Sequence, residues 1–397
     1  MKLLQVITTW TRLPAEPARL STIINNQATR IKGLFAEIQE IPEILKPSHF
    51  PSLDGLRAVS ILLVIGSHVV MSFKTRLSLF HFADLGVQFF FVISGFLITS
   101  LLIKEKVEKG DISLRNFYVR RIFRIVPVAY LYLFFILLLD VVLNLHLNKF
   151  LLLTSFLFLR NFFRTASGVN HLTTHYWSLA VEEQFYLAFP VVLKKTFKGF
   201  IFLIFGIIGA SLLVDLLTFC FGARLDANAI VRLVVLLATQ FQGIAVGSLT
   251  AVIVFKANCP LMAVNKTLLN CSLLLAIFLL TLYGGPFTNA VNMLKCLLFA
   301  AILVLNLSAS DNVIFGVLNH GAMKLIGVLS YSLYIWQQPF TQGLTFINQS
   351  KVMSAFDNKI PIDIAFTFVL LISLALITYA SYFYFERTFL RLRDRYR

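Results

Sequence analysis

The chain has 397 residues, of which 58% are hydrophobic and only 14% charged, with 35 Lys and Arg against 19 Asp and Glu. Soluble domains run at roughly 45–50% apolar and about 25% charged, so this chain has too little polar surface to cover a water-exposed globule. The same figures exclude collagen, coiled coil, disorder and a disulfide-stapled secreted fold, and leave a polytopic bundle in a lipid bilayer.

The N-terminal stretch Met1 to Lys46 has no apolar core between its charges, so it is not a signal peptide. Glu37, Glu40, Glu43, Pro42 and Pro47 make it a polar lead-in that suits one amphipathic helix lying along the membrane. Apolar segments then follow at about 56–73, 85–103, 125–143, 176–193, 199–221, 230–255, 267–283, 288–307, 325–346 and 364–384. The run Phe150 to Leu159, flanked by Arg160 and Arg164, is too short to cross. The expected fold is therefore an all-α polytopic membrane protein, with about ten transmembrane helices plus a short re-entrant or interfacial helix. With the N-terminus inside, 24 basic residues fall on the inner side and nine on the outer, so the positive-inside rule places both termini in the cytoplasm. Cys220, Cys259, Cys271 and Cys296 show no close-spaced metal pattern and read as packing residues.

Several polar residues interrupt the apolar segments. His68 follows Arg57 by eleven positions, which on a helix is three turns plus about 20°, so both leave the same face about 16 Å apart along the axis. Arg57 then marks the inner end of the first span and His68 sits deep. An ionisable group within a membrane is a functional candidate, because its charged form must be compensated; the alternative is a buried histidine satisfied by a backbone carbonyl. The fourth span opens Trp177-Ser178-Leu179-Ala180-Val181-Glu182-Glu183-Gln184-Phe185-Tyr186, with Ser178, Glu182 and Tyr186 on one face and Glu183 on another. A buried carboxylate needs a partner, and His68 or Arg57 would supply one; a purely structural ion pair is the rival reading. Arg120, Arg121 and Arg124 cluster where the third span begins, and planar guanidinium groups suit the phosphates of a cofactor arriving from the cytoplasm. Plain topology or lipid head-group binding explains that basic loop equally well. Nucleic acid is not an expected partner, since no aromatic-basic binding domain accompanies the charge. In the second span, small residues at Ser94 and Gly95 suit close helix packing, and Gln88 is a weak ligand candidate. In the ninth, Ser330-Tyr331-Ser332-Leu333-Tyr334-Ile335-Trp336-Gln337-Gln338-Pro339 reads as a kinked cavity wall.

Taken in order, Leu53-Asp54-Gly55-Leu56-Arg57 with His68, Phe90-Phe91-Val92-Ile93-Ser94-Gly95-Phe96, Phe117-Tyr118-Val119-Arg120-Arg121, the Trp177 to Tyr186 string, Ser330-Tyr331-Ser332-Leu333-Tyr334 and Phe385-Glu386-Arg387 resemble the acyltransferase-3 family of integral membrane O-acyltransferases, which modify bacterial cell-surface carbohydrates. The resemblance implies a cytoplasmic tail (residues 1–49), an acyltransferase transmembrane domain (50–387) and a basic cytoplasmic tail (388–397), in the bacterial cytoplasmic (inner) membrane. It implies acyl transfer, usually acetyl from acetyl-CoA, to a sugar hydroxyl such as one of O-antigen or exopolysaccharide, with no metal. It carries Arg57, His68, Arg120, Arg121 and Glu182 over as functional residues, and Arg124 joins the cofactor arginines on position. In the mechanism expected from it, the phosphates of acetyl-CoA dock near Arg120, Arg121 and Arg124. His68 acts as general base or brief acetyl carrier, Glu182 orients its imidazole, and Arg57 stabilises phosphate or carboxylate. The chain departs from the family at Gln337, where His often stands, and at Thr388, where Pro is usual; it ends at Arg397 with no appended SGNH-type domain, so a separate extracytoplasmic partner is an open expectation. A proton-coupled transporter or saccharide flippase, and a non-catalytic scaffold, are the rival classes.

Overall fold

The computed structural model of the protein describes residues 33–47, 49–72, 82–163, 168–221, 229–256, 265–283, 285–308, 312–341 and 360–396. Among them every regular element is helical: α1 (Pro51–Ser72), α2 (Phe82–Lys109), α3 (Leu114–Leu143), α4 (Lys149–Phe156), α5 (Tyr176–Lys195), α6 (Phe197–Phe221), α7 (Ala229–Lys256), α8 (Lys266–Thr281), α9 (Thr288–Leu305), α10 (Val313–Leu318), α11 (Gly321–Thr341) and α12 (Ile360–Ala380), which runs through a π-helical stretch (Ser381–Glu386) into α13 (Arg387–Arg393). Most of the amphipathic lead-in expected before Phe50 lies outside the described residues.

Each of the ten apolar segments forms a helix, yet among the described residues seven helices, not about ten, are long and apolar enough to cross a bilayer. The other three have separate causes. α8 has only 16 residues. α5 carries Glu182, Glu183, Lys194 and Lys195, and the second half of α11 interleaves Ser330, Tyr331, Ser332, Tyr334, Gln337, Gln338 and Thr341 among its apolar residues. The last two are also the helices that wall the candidate site described below. The short run before Arg160 is an eight-residue helix, α4, capped by the Asn148 side chain, which accepts from the Phe150 and Leu151 amides. Arg160 itself, expected as a flanking charge, is fully buried.

α2 lies at the centre, packed along α1 on one side and α7 on the other. α2 and α7 approach so closely that a Cβ on Gly95 would strike the Ile244 carbonyl, and one on Gly247 the Val92 carbonyl. Small residues at such crossings are what let helix backbones meet in a membrane. At one end of the bundle basic side chains tie loops to helices. Lys104 Nζ donates to the Pro47 carbonyl at 3.0 Å, Lys106 pairs with Glu37 at 3.0 Å, and Lys256 Nζ donates to the Gly33 carbonyl at 2.7 Å. Lys194 Nζ donates to Asp111 at 2.6 Å and to the Ile112 carbonyl at 2.7 Å, and this bond holds the exposed Asp111 carboxyl below the usual carboxylate range. Arg57, Arg121 and Arg124 lie towards this basic end, while the first turns of α2, α5 and α9 lie towards the opposite one.

Two buried polar clusters fix the register of the bundle. Asn161 Nδ2 donates to Gln184 and to Gln240, each at 3.1 Å, and Gln184 Nε2 returns a bond to Asn161 at 3.0 Å, so the turn after α4 is pinned to α5 and α7. Asp215 of α6 accepts from the Asn289 and Ala290 amides, at 3.2 and 2.7 Å, and from Asn289 Nδ2 at 2.7 Å, which caps the start of α9.

Candidate active site

α1, α2, α3, α5 and α11 line an open cleft whose space, counted out to its mouth, is about 680 Å³. Three guanidinium groups line it, Arg57 from α1 with Arg121 and Arg124 from α3, and the carboxylate among its lining residues is Glu182 of α5. Hydroxyls complete the wall: Ser94, Ser178, Tyr186, Ser330, Tyr331 and Tyr334.

The chemistry of the carboxylate is set by its neighbours. Ser94 Oγ donates to Glu182 Oε1 at 2.7 Å, and the Tyr186 hydroxyl lies 3.5 Å from Oε2 and 3.3 Å from Ser94 Oγ. Glu182 and Tyr186 are one helical turn apart, the spacing that places both on one face of α5. Arg121 stacks its guanidinium over the Tyr186 ring, 5.1 Å from the centroid, and over Phe117 at 5.6 Å. Arg57 is held by Asp54, three residues earlier on α1, at 3.6 Å. Even with Asp54 beside Arg57, the three guanidinium groups outnumber the carboxylates near them, which suits an anionic ligand. Towards the far end the Ser178 hydroxyl meets that of Tyr334, which also donates to the His175 carbonyl at 3.1 Å, so the polar lining continues upward between α5 and α11.

Of the residues the sequence singles out, Arg57, Glu182, Arg121 and Arg124 line this one cleft, whereas Arg120 and His68 stand elsewhere. Arg120 donates to the Tyr396 carbonyl at 2.7 Å and pairs with Glu105 at 3.4 Å, outside the cleft. Consecutive residues on a helix point about 100° apart, which separates Arg120 from Arg121, and Arg124, on the face between them, joins Arg121 in the cleft. The imidazole of His68 is not a partner of Glu182. Its Nδ1 meets the Gln337 side-chain oxygen at 3.1 Å. An amide oxygen accepts, so the tautomer that satisfies this contact carries its proton on Nδ1 and leaves Nε2 as the basic nitrogen. Gln337, noted in the sequence as a departure from the family, is therefore the residue that orients His68. Ser94 was read as a packing residue beside Gly95, yet only Gly95 packs in that sense; Ser94 serves the carboxylate. Asp54, missed in the sequence, is legible in hindsight from its spacing to Arg57. Glu183 turns away from the cleft, with its Oε1 buried and without a hydrogen-bond partner. Among the described residues no group of His, Cys, Asp and Glu is placed to hold a metal.

Comparison with known proteins converges on the same assignment. The acyltransferase-3 family, described as an acyltransferase domain, matches residues 50–385. A Staphylococcus aureus (strain COL) protein provisionally named an O-acetyltransferase is 30% identical over 347 residues, covering 81% of this chain and 54% of its own length. The peptidoglycan O-acetyltransferase OatA of Listeria monocytogenes is 25% identical over 348 residues, 81% of this chain and 54% of its own. The O-acetyltransferase OatA of Staphylococcus aureus (strain NCTC 8325) is 27% identical over 367 residues, 85% of this chain and 57% of its own. The chain therefore spans a little over half the length of the curated relatives it matches. No solved structure matches it. The match over residues 50–385, which contains the cleft with Arg57, Arg121, Arg124 and Glu182, establishes that this chain belongs to the acyltransferase-3 family.

Proposed function

We propose that the protein is a membrane O-acyltransferase that moves an acyl group, acetyl by preference, from acyl-CoA to a hydroxyl of a cell-surface carbohydrate. The observation that carries this reading is the cleft itself, where three guanidinium groups and a hydrogen-bonded carboxylate face one another inside a helix bundle. The bundle lies in the cytoplasmic membrane with its basic end and both termini inside, the orientation that the basic-residue asymmetry favours. Acyl-CoA approaches from that end, and its phosphates meet Arg121 and Arg124, with Arg57 beside them. The eleven-residue separation of Arg57 and His68, about 16 Å along α1, suits a cofactor whose phosphates and thioester sit at opposite ends of an extended arm.

At the thioester, Nε2 of His68 takes the proton of the acceptor hydroxyl as its oxygen attacks the acyl carbonyl carbon. The carbon–sulfur bond breaks, the CoA thiolate leaves, and the imidazolium returns the proton to the sulfur. Gln337 keeps the tautomer that makes Nε2 the base. Glu182, held by Ser94 and Tyr186, organises the arginines rather than the imidazole. The OatA names of the relatives make peptidoglycan a carbohydrate to test alongside O-antigen and exopolysaccharide, and their greater length leaves place for a further domain or partner that completes the transfer.

The test is release of CoA thiol from acetyl-CoA by purified protein in nanodiscs with a mixed surface-glycan extract, and base-labile acetyl on the glycan as the second readout. Turnover that requires both His68 and Arg121 supports the proposal. Folded wild-type protein that consumes no acetyl-CoA with a competent acceptor overturns it and returns the transporter and scaffold readings to the front.

A further inference from the structure

A second, open cavity, about 650 Å³ counted out to its mouth, lies on the other side of α2 from the arginine cleft. Its lining differs in chemistry. Where the first cleft has guanidinium groups, this one has Asp84 and Gln88 from α2, Thr239, Gln240 and Gln242 from α7, Asn289 and Asn292 from α9, and the indole of Trp177. Several of these are already committed to the fold. Gln240 belongs to the Asn161 cluster, Gln242 accepts from Ser211 at 2.6 Å, and Asn289 donates to Asp215. Asp84 and Asn292 hold no hydrogen bond or ion pair within the described residues, and Gln88 has only a long contact of 3.6 Å from Cys296 Sγ.

The position of the cavity is as informative as its lining. Asp84, Trp177 and Asn289 stand in the first turns of their helices and Asn292 begins the second turn of its own, at the end opposite the basic one. Phe91 lines both cavities, and its ring meets that of Trp177 edge-on at 6.0 Å and 89°. The two cavities therefore back onto each other across one aromatic pair. Asp84 also lies within electrostatic reach of His68, the proposed base.

We propose that this second cavity is the acceptor subsite and that it takes a neutral saccharide. The inference rests on the acyltransferase reading above and adds the place where the hydroxyl-bearing substrate sits. Sugar hydroxyls both donate and accept, which amides and a carboxylate satisfy together, and the apolar face of a pyranose covers an indole. A phosphate-bearing ligand is disfavoured here because no Lys or Arg lines the cavity and Asp84 does. The donor then enters from the basic end and the acceptor from the opposite end, and they meet at the level of His68 and the Phe91–Trp177 pair.

The experiment uses the full chain in nanodiscs, with titration calorimetry of chitotetraose, maltotetraose and mannotetraose, and a separate titration of acetyl-CoA. Asp84→Asn and Asn292→Ala are compared with wild type, and Trp177→Phe tests the stacking surface. The expected result is that one tetrasaccharide binds wild type and binds each variant roughly tenfold more weakly, the effect of one lost hydrogen bond or ring contact, while acetyl-CoA affinity keeps its wild-type value. In turnover the acceptor KM rises and the acetyl-CoA KM does not. If none of the three tetrasaccharides binds wild type, or if all variants bind as wild type does, the subsite is wrong. Saccharide binding lost in the variants but with no acetyl transfer by wild type would keep the subsite and remove the acyltransferase reading. Transfer by wild type with unchanged acceptor KM in every variant would do the reverse.

Discussion

Arg120 and Arg121 are adjacent in sequence and identical in chemistry, yet the fold sends them to different surroundings, so the pair makes a sharp test. In Arg121→Ala the cleft loses a guanidinium that stacks on Tyr186 and Phe117 and stands near Glu182. A charge-assisted bond to a cofactor phosphate contributes about 1.5–3 kcal/mol, and each 1.4 kcal/mol is about tenfold in affinity. The acetyl-CoA KM should therefore rise roughly 10- to 100-fold. In Arg120→Ala the losses are a bond to the Tyr396 carbonyl and a 3.4 Å pair with Glu105, whose partners are 24% and 9% exposed. A partly exposed pair of this length contributes about 1 kcal/mol or less to stability, and none of it reaches the cleft. The acetyl-CoA KM should stay within about threefold of wild type, with a lower thermal midpoint in nanodiscs as the tail is released. Steady-state CoA release at saturating acceptor measures both variants. Should Arg120→Ala raise the KM as much as Arg121→Ala, the cofactor would be reading the basic loop as a whole, and the assignment of the cleft as the donor site would fall.

Other expectations follow from single contacts. Removing the base with His68→Ala should lower kcat by about 10²–10⁴-fold with insertion unchanged, and Gln337→Leu, which removes the carboxamide whose oxygen meets Nδ1, should lower it by about tenfold and leave the acetyl-CoA KM alone. Glu182→Gln keeps an acceptor for Ser94 but leaves Arg57, Arg121 and Arg124 without their lining carboxylate; folded yield should hold while kcat falls, and an unchanged kcat would make the carboxylate dispensable to turnover. Asn161→Ala takes the donor from the side-chain oxygens of Gln184 and Gln240, at about 1–3 kcal/mol each, so thermal stability should drop with cofactor KM untouched. Gly247→Val forces a side chain into the Val92 carbonyl and should abolish folded protein, read as monodisperse yield from detergent.

Much of this protein is written in its sequence. The helical class follows from composition and run length, because in hydrocarbon a backbone without internal hydrogen bonds is too costly to expose. The short run at Phe150 to Leu159 is recognisable as non-spanning by length alone. Glu182 declares itself as a charge within an apolar segment and Arg57 as one at a span's inner end, while Arg121 and Arg124 stand out only as part of a basic loop; helical periodicity already groups Ser178, Glu182 and Tyr186 on one face. What periodicity within one helix cannot supply is which face meets which neighbour. That choice, made by close crossings such as Gly95 on Ile244 and Gly327 on Asp54, brings Ser94 rather than His68 to Glu182, Gln337 to His68, and Glu105 with the tail to Arg120. The span count follows the same division. The sequence shows ten apolar segments, but among the described residues only seven helices are long and apolar enough to span, while α5 and α11 owe their place in the bundle to polar residues whose partners are hydroxyls and carbonyls of other helices, and those partners exist only once the chain has packed.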